Sequence, residues 1–162
     1  MLELNSQLKQ LDKICNVKGA WKMFNQRLKR DAVSWTSMIS GYVRVSDFSK
    51  ALALFSNMWV QPGLCMDPFL LSIALRACGL GINLSYGEAV HGYLAKSGIV
   101  NSIFVGSALL DLYMKVVGIE KGCIIFDKMP LRNVVSGTTI ITGEIGEQVQ
   151  IVGDDLLVTK PR

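Results

Sequence analysis

The sequence predicts an all-α protein, an α-solenoid of stacked helix-turn-helix hairpins followed by a non-repeat tail. Two observations carry that expectation. First, the chain repeats itself at long range. Residues 24–41 read FNQRLKRDAVSWTSMISG and residues 126–143 read FDKMPLRNVVSGTTIITG. In that ungapped register Phe24, Arg30, Val33, Ser34, Thr36, Ile39 and Gly41 recur as Phe126, Arg132, Val135, Ser136, Thr138, Ile141 and Gly143. A single domain of 162 residues has no reason to repeat at an offset of 102, whereas an array of shorter units does. Second, the stretch between the copies divides into helix, short break, helix and turn, with apolar residues at helical spacing.

The elements follow in order. Residues 1–31 fit one hairpin, with helices near 4–14 and 17–28. In residues 32–67, Trp35, Met38, Ile39 and Tyr42 fall at i, i+3, i+4 and i+7. Ser46 and Asp47 are cap candidates for a second helix striped by Phe48, Ala51, Leu52, Phe55 and Met58. Gln61-Pro62-Gly63 ends it. Residues 68–102 repeat the plan, with helices over 69–78 and 84–96 and a stop at Ser97-Gly98. Residues 103–133 do so again, with helices over 104–115 and 119–129 and a stop at Pro130. A further unit opens over 134–143. These stripes mark hydrophobic packing between helices.

Composition sets the outer limits. Half the residues are apolar and 19% are charged, so the chain can bury a core. Residues 1–143 carry 15 Lys/Arg against 9 Asp/Glu, while residues 144–162 carry 2 against 4. The basic excess belongs to the helical body and suits a polyanion. Cys15, Cys65, Cys78 and Cys123 form no C-x-x-C pair, and His91 is the sole histidine. No zinc site follows, and the cysteines read as small buried side chains in a reducing compartment. No apolar run is long enough to span a bilayer. Met1 to Asn5 opens as neither a signal peptide nor an Arg-rich transit peptide.

The units measure 31, 36, 35 and 31 residues and carry DAVSWTSMISGY, then LSIALRACG with GEAVHGYLAKSG, then IFVGSALLDLYMK with FDKMPLRN. In these motifs the chain resembles the PLS class of plant pentatricopeptide-repeat (PPR) proteins over residues 1–143. Three unit types occur in that class's order: short (1–31), standard (32–67), long (68–102) and short (103–133), with a truncated unit over 134–143. The tetratricopeptide repeat, with its constant period of about 34 residues and its W-x₂-L-G-x₂-Y pattern, does not fit. The resemblance implies a right-handed superhelix whose groove holds single-stranded RNA, one base per unit. It also implies action in mitochondria or chloroplasts, in RNA processing or editing with other proteins recruited.

In that family the fifth residue of the first helix and the last residue of the unit contact the base edge. Carried over, the pairs are Asn5 with Asp31, Thr36 with Asp67, Ser72 with Ser102, and Ser107 with Asn133, while Thr138 opens the next unit. The base-packing second residues are Val33, Phe69, Phe104 and Val135, with Leu2 before them. The family's pairing rules then imply a target U-G-n-A, the long unit reading poorly. Each polar residue has a plainer use as a helix cap. The second unit is one residue too long, through 59–66, an insertion that can displace Asp67 from the groove. Arg44, Arg76 and Lys115 sit near the ends of first helices and suit phosphates. Stacking contributes about 1–3 kcal/mol per base, so four units alone bind no tighter than roughly micromolar. With no capping unit in front, the array reads as a piece of a longer one.

The repeat pattern fails after Gly143, and Gly137 replaces the aromatic found at Trp35. EIGEQVQIVGDDLLVTKPR, residues 144–162, resembles a short stretch of plant enolase, where Asp154 or Asp155 would be a magnesium ligand. One strand supplies one ligand and no pocket, so that activity does not carry over. Many PLS proteins end in a deaminase-like domain, which needs H-x-E and P-C-x-x-C around zinc. His91 is followed by Gly92-Tyr93 and no cysteines pair, so His91 reads as structural. No catalysis, cofactor, small-molecule substrate or membrane association is expected. The rival to RNA binding is a protein-interaction scaffold or a non-functional fragment of a larger PPR protein.

Overall fold

A computed structural model describes residues 17–26, 30–64, 66–133 and 136–143. It is an all-α array of helical hairpins. The helices are α1 (Val17–Asn25), α2 (Ala32–Arg44), α3 (Phe48–Trp59), α4 (Pro68–Leu80), α5 (Leu84–Ser97), α6 (Ile103–Val116) and α7 (Ile119–Lys128). A 3₁₀ turn, Ile99–Asn101, joins α5 to α6, and residues 136–143 are helical. The helix expected near 4–14, the site residues Asn5 and Val135, Leu2 and the tail 144–162 lie outside the described residues.

The boundaries follow local chemistry. Asp31, Asp47, Asp67 and Asn83 cap α2, α3, α4 and α5, each accepting a hydrogen bond from a backbone N–H three residues on. Pro68 stands in the first turn of α4, where its missing N–H costs nothing. Gly98 ends α5 in the left-handed conformation, φ 73°. The turns inside two hairpins place non-glycine residues there as well, Ser46 at φ 60° and Ile82 at φ 52°. For the β-branched Ile82 this is a strained conformation.

The helices pack as a chain of neighbours. Within each hairpin α2 packs on α3, α4 on α5 and α6 on α7. Each second helix also meets the next first helix: α1 meets α2, α3 meets α4, and α5 meets α6. The first helices form a continuous layer, α2 against α4 and α4 against α6. The predicted stripes supply the core. Trp35, Met38, Ile39 and Tyr42 are buried on α2, and Ala51, Leu52, Phe55 and Met58 on α3. Leu70, Leu71, Ala74, Leu75 and Cys78 line the middle layer, facing Val105, Leu109, Leu110 and Leu112 of α6.

The long-range repeat is also a repeat of contacts. The Arg30 guanidinium lies 4.7 Å from the Phe24 ring centre, and Nε donates to Phe24 O at 3.3 Å. Arg132 stands over Phe126 at 4.8 Å and donates to Phe126 O at 3.1 Å. Asp31 caps Ser34 N at 2.9 Å, and Asn133 caps Ser136 N at 2.8 Å. The identities shared by the two segments thus encode the same local joint. One partner is missing from the second copy. Trp35 meets Phe24 edge to face at 4.9 Å, whereas nothing lies within 4 Å of a Cβ built on Gly137.

Cys78 is buried, and desolvation pushes its thiol up to about 12. Cys123 departs from expectation, since it is only partly buried on the outer helix α7. Cys15 and Cys65 lie outside the described residues. Among the described residues no helix is long and apolar enough to cross a membrane, and no three His, Cys, Asp or Glu side chains gather as metal ligands.

His91 joins two hairpins: its Nδ1 lies 3.0 Å from the Tyr113 hydroxyl of α6. Burial lowers its pKa below 6.5, Lys121 and Lys128 push the same way, and Glu88 opposes. The unfolded chain therefore takes the proton first, and stability falls as pH drops through 6.5 toward the lowered value. Thermal melts from pH 7.5 to 5.5 should show a falling Tm, with His91→Gln nearly flat over that window. Equal pH slopes in both proteins would show that His91 does not carry the effect.

Candidate nucleic-acid interface

Three first helices present matching stripes on one side of the array. On α2 the stripe is Val33, Thr36, Ser40 and Arg44; on α4 it is Phe69, Ser72 and Arg76; on α6 it is Phe104, Ser107, Asp111 and Lys115. The spacing of three and four residues puts each set on one helix face. Two open clefts lie along this face. Val33, Thr36, Ser37, Ser40, Arg44, Asp67 and Phe69 line one of about 380 Å³, between α2 and α4. Phe69, Ser72, Arg76, Phe104, Ser107, Asp111, Lys115, Asn133 and Thr139 line a second of about 470 Å³, between α4 and α6. Phe69 forms a wall of both.

The large apolar residues of the stripes face solvent. Val33 is 42% exposed, Phe69 58% and Phe104 64%, although Leu70 and Leu71 beside Phe69 are fully buried. A bare aromatic row beside small hydroxyls and cations suits flat rings on an anionic backbone. The hydroxyls differ in their state. Thr36 donates to Ala32 O at 2.8 Å and Ser72 to Phe69 O at 2.7 Å, which leaves both oxygens able to accept. Ser107 Oγ is buried with no hydrogen-bond partner among the described residues.

Asp31, Asp67 and Asn133 serve as helix caps. Asp31 accepts from Ser34 N and from the Ser34 hydroxyl, Asp67 accepts from Leu70 N at 2.7 Å, and Asn133 accepts from Ser136 N. Capping and cleft lining are compatible, because a cap uses one side-chain oxygen. Asp67 and Asn133 both cap a helix and line a cleft. Asp31 caps α2 and lines neither cleft. Ser102 starts α6 without a side-chain cap bond and also lines neither. Thr138 is exposed outside both clefts, and its neighbour Thr139 lines the α4/α6 cleft instead.

Ser37, Ser40, Asp111 and Thr139 also line the clefts, beyond the residues that the sequence pointed to. A signal for two of them was present: Ser40 and Asp111 lie four residues after Thr36 and Ser107 and four before Arg44 and Lys115. A larger cleft of about 520 Å³ sits elsewhere, around Ser46, Asp47, Phe48, Gly81 and Asn83 in the hairpin turns, and is lined by none of the predicted RNA-contacting residues. Its lining has neither an aromatic row nor a set of cations.

Residues 33–60 match the family model of the PPR repeat. That match falls on α2 and α3, the hairpin that supplies the first stripe. Curated relatives extend the likeness along the array. A putative pentatricopeptide repeat-containing protein of Arabidopsis thaliana is 43% identical over 140 residues, 86% of this chain and 20% of the relative. A chloroplastic pentatricopeptide repeat-containing protein of the same plant is 36% identical over 126 residues, 78% of this chain and 20% of its own length. A putative mitochondrial one is 36% identical over 127 residues, with the same coverage. The chain spans about a fifth of the length of these relatives.

Asp67 offers a clean separation of capping from any role in the cleft. Asn caps as well as Asp, while Ala loses about 1 kcal/mol. Asp67→Asn should therefore keep the Tm within about a degree, and Asp67→Ala should lower it by several degrees in a thermal melt. Equal losses in the two variants would place the Asp67 charge, not the cap, at the root of its contribution.

Proposed function

We propose that this chain is a segment of a PLS-class PPR protein that binds single-stranded RNA, without catalysis, in the groove formed by its first helices. One observation carries the reading: consecutive first helices each carry an exposed apolar or aromatic residue, a hydroxyl and a cation on the same face, with a cleft between each pair. Bases stack on Phe69 and Phe104, hydroxyls and cap residues meet base edges, and Arg44, Arg76 and Lys115 attract phosphates. The names of the chloroplastic and mitochondrial relatives support an organellar location; the role there is RNA processing or editing-site recognition, with partner proteins supplying any chemistry. The units 1–31, 32–67, 68–102 and 103–133, with a truncated unit after them, are the reading frame, and the tail 144–162 stands apart from it.

On this reading the order of bases is U-G-n-A from the N-terminal unit. Thr36 with Asp67 takes guanine, because a short hydroxyl leaves room for a purine and can donate or accept. Ser107 with Asn133 takes adenine. Selection of bound sequences from a random RNA pool should enrich that order. Thr36→Asn, with Asp67 retained, should move the second preferred base from guanine to uracil. An unenriched pool, or a Thr36→Asn pool identical to the wild-type one, would refute base reading and leave the protein-scaffold function in its place.

A further inference from the structure

At one register position, four residues after the fifth-position residue of the first helix, the three groove-lining helices differ in charge. The residue is Ser40 on α2, Arg76 on α4 and Asp111 on α6. Asp111 is thus a carboxylate in the wall of a cleft that otherwise offers aromatic rings, hydroxyls and cations. Its Oδ2 accepts from Lys115 Nζ at 2.8 Å, one helical turn on. Glu or Asp four residues before Lys is the favourable helical orientation. Both side chains stay partly open to solvent, Lys115 at 44% and Asp111 at 31%. Such an exposed pair is weak and exchangeable.

From this geometry we infer that Asp111 is an internal counter-ion occupying the phosphate-binding cation of the α6–α7 hairpin. An RNA phosphate reaching Lys115 has to displace or share that carboxylate. The strand is therefore held conditionally at α6, and Asp111 acts as a positioning residue through Lys115. The inference rests on the RNA-binding reading of the same groove.

The test is equilibrium binding of the chain to a single-stranded RNA containing UGNA, at several salt concentrations. Asp111→Asn should tighten binding about two- to fivefold, in line with release of a weak ion pair. It should also steepen the salt dependence by roughly the 0.7 expected for one more phosphate contact on a single strand. In a Lys115→Met background the same substitution should change neither quantity. Asp127→Asn, an exposed acid on α7, is the control for loss of negative charge in general. An Asp111→Asn protein that binds like wild type overturns the inference while leaving the RNA-binding reading intact. A gain that persists in the Lys115→Met background, or appears equally with Asp127→Asn, also overturns it, since the effect is then plain repulsion. A wild-type chain that binds no RNA overturns both.

Discussion

The packing of α4 against α6 sets the spacing on which everything else rests. Leu71, Leu75, Ala74 and Cys78 of α4 are fully buried, as are Leu110 and Leu112 of α6. Small residues let the layers close. A Cβ on Gly79 would stand 3.4 Å from the Leu112 Cα, and one on Gly87 would meet Leu112 Cδ2 at 2.5 Å. Leu112 therefore sits against both helices of the preceding hairpin. With this joint fixed, Phe69 and Phe104 flank one cleft, and their hydroxyl and cationic companions fall in line. Interiors packed this densely leave few alternative registers.

An array held by nearest-neighbour joints has a surface that repeats as its core does. The core residues at i, i+3, i+4 and i+7 of each first helix leave the opposite stripe free, and that stripe is where Thr36, Ser72 and Ser107 stand. Sequence differences between hairpins then act one cleft at a time. Ser40, Arg76 and Asp111 change the charge of the groove without touching the core. Missing Trp35 at Gly137, by contrast, changes the joint itself, because the ring that meets Phe24 has no counterpart beside Phe126.

Much of the fold was legible because helical periodicity, caps and turns agree. The spans expected over 69–78, 84–96, 104–115 and 119–129 differ from α4, α5, α6 and α7 by at most two residues at either end. At the start of α4 the difference is one residue, since Asp67 caps the helix and Pro68 takes its first position. The candidate site was legible in outline only. Thr36, Ser72, Ser107, Val33, Phe69 and Phe104 reach the clefts because first-helix positions repeat faithfully. Ser102 and Thr138 do not, and Ser37 and Thr139 do, because loop geometry and helix rotation decide which of two adjacent residues faces the groove. The joint between His91 and Tyr113 was out of reach, since it links residues of different hairpins through space.

Ultraviolet cross-linking of a bound single-stranded RNA, with the adducts located by mass spectrometry, tests the first-helix groove most directly. Among the described aromatic residues, adducts should concentrate on Phe69 and Phe104. Adducts on Trp59 and Tyr93, which pair with each other at 4.8 Å on the second helices, would place the nucleic acid on the opposite layer and contradict the groove.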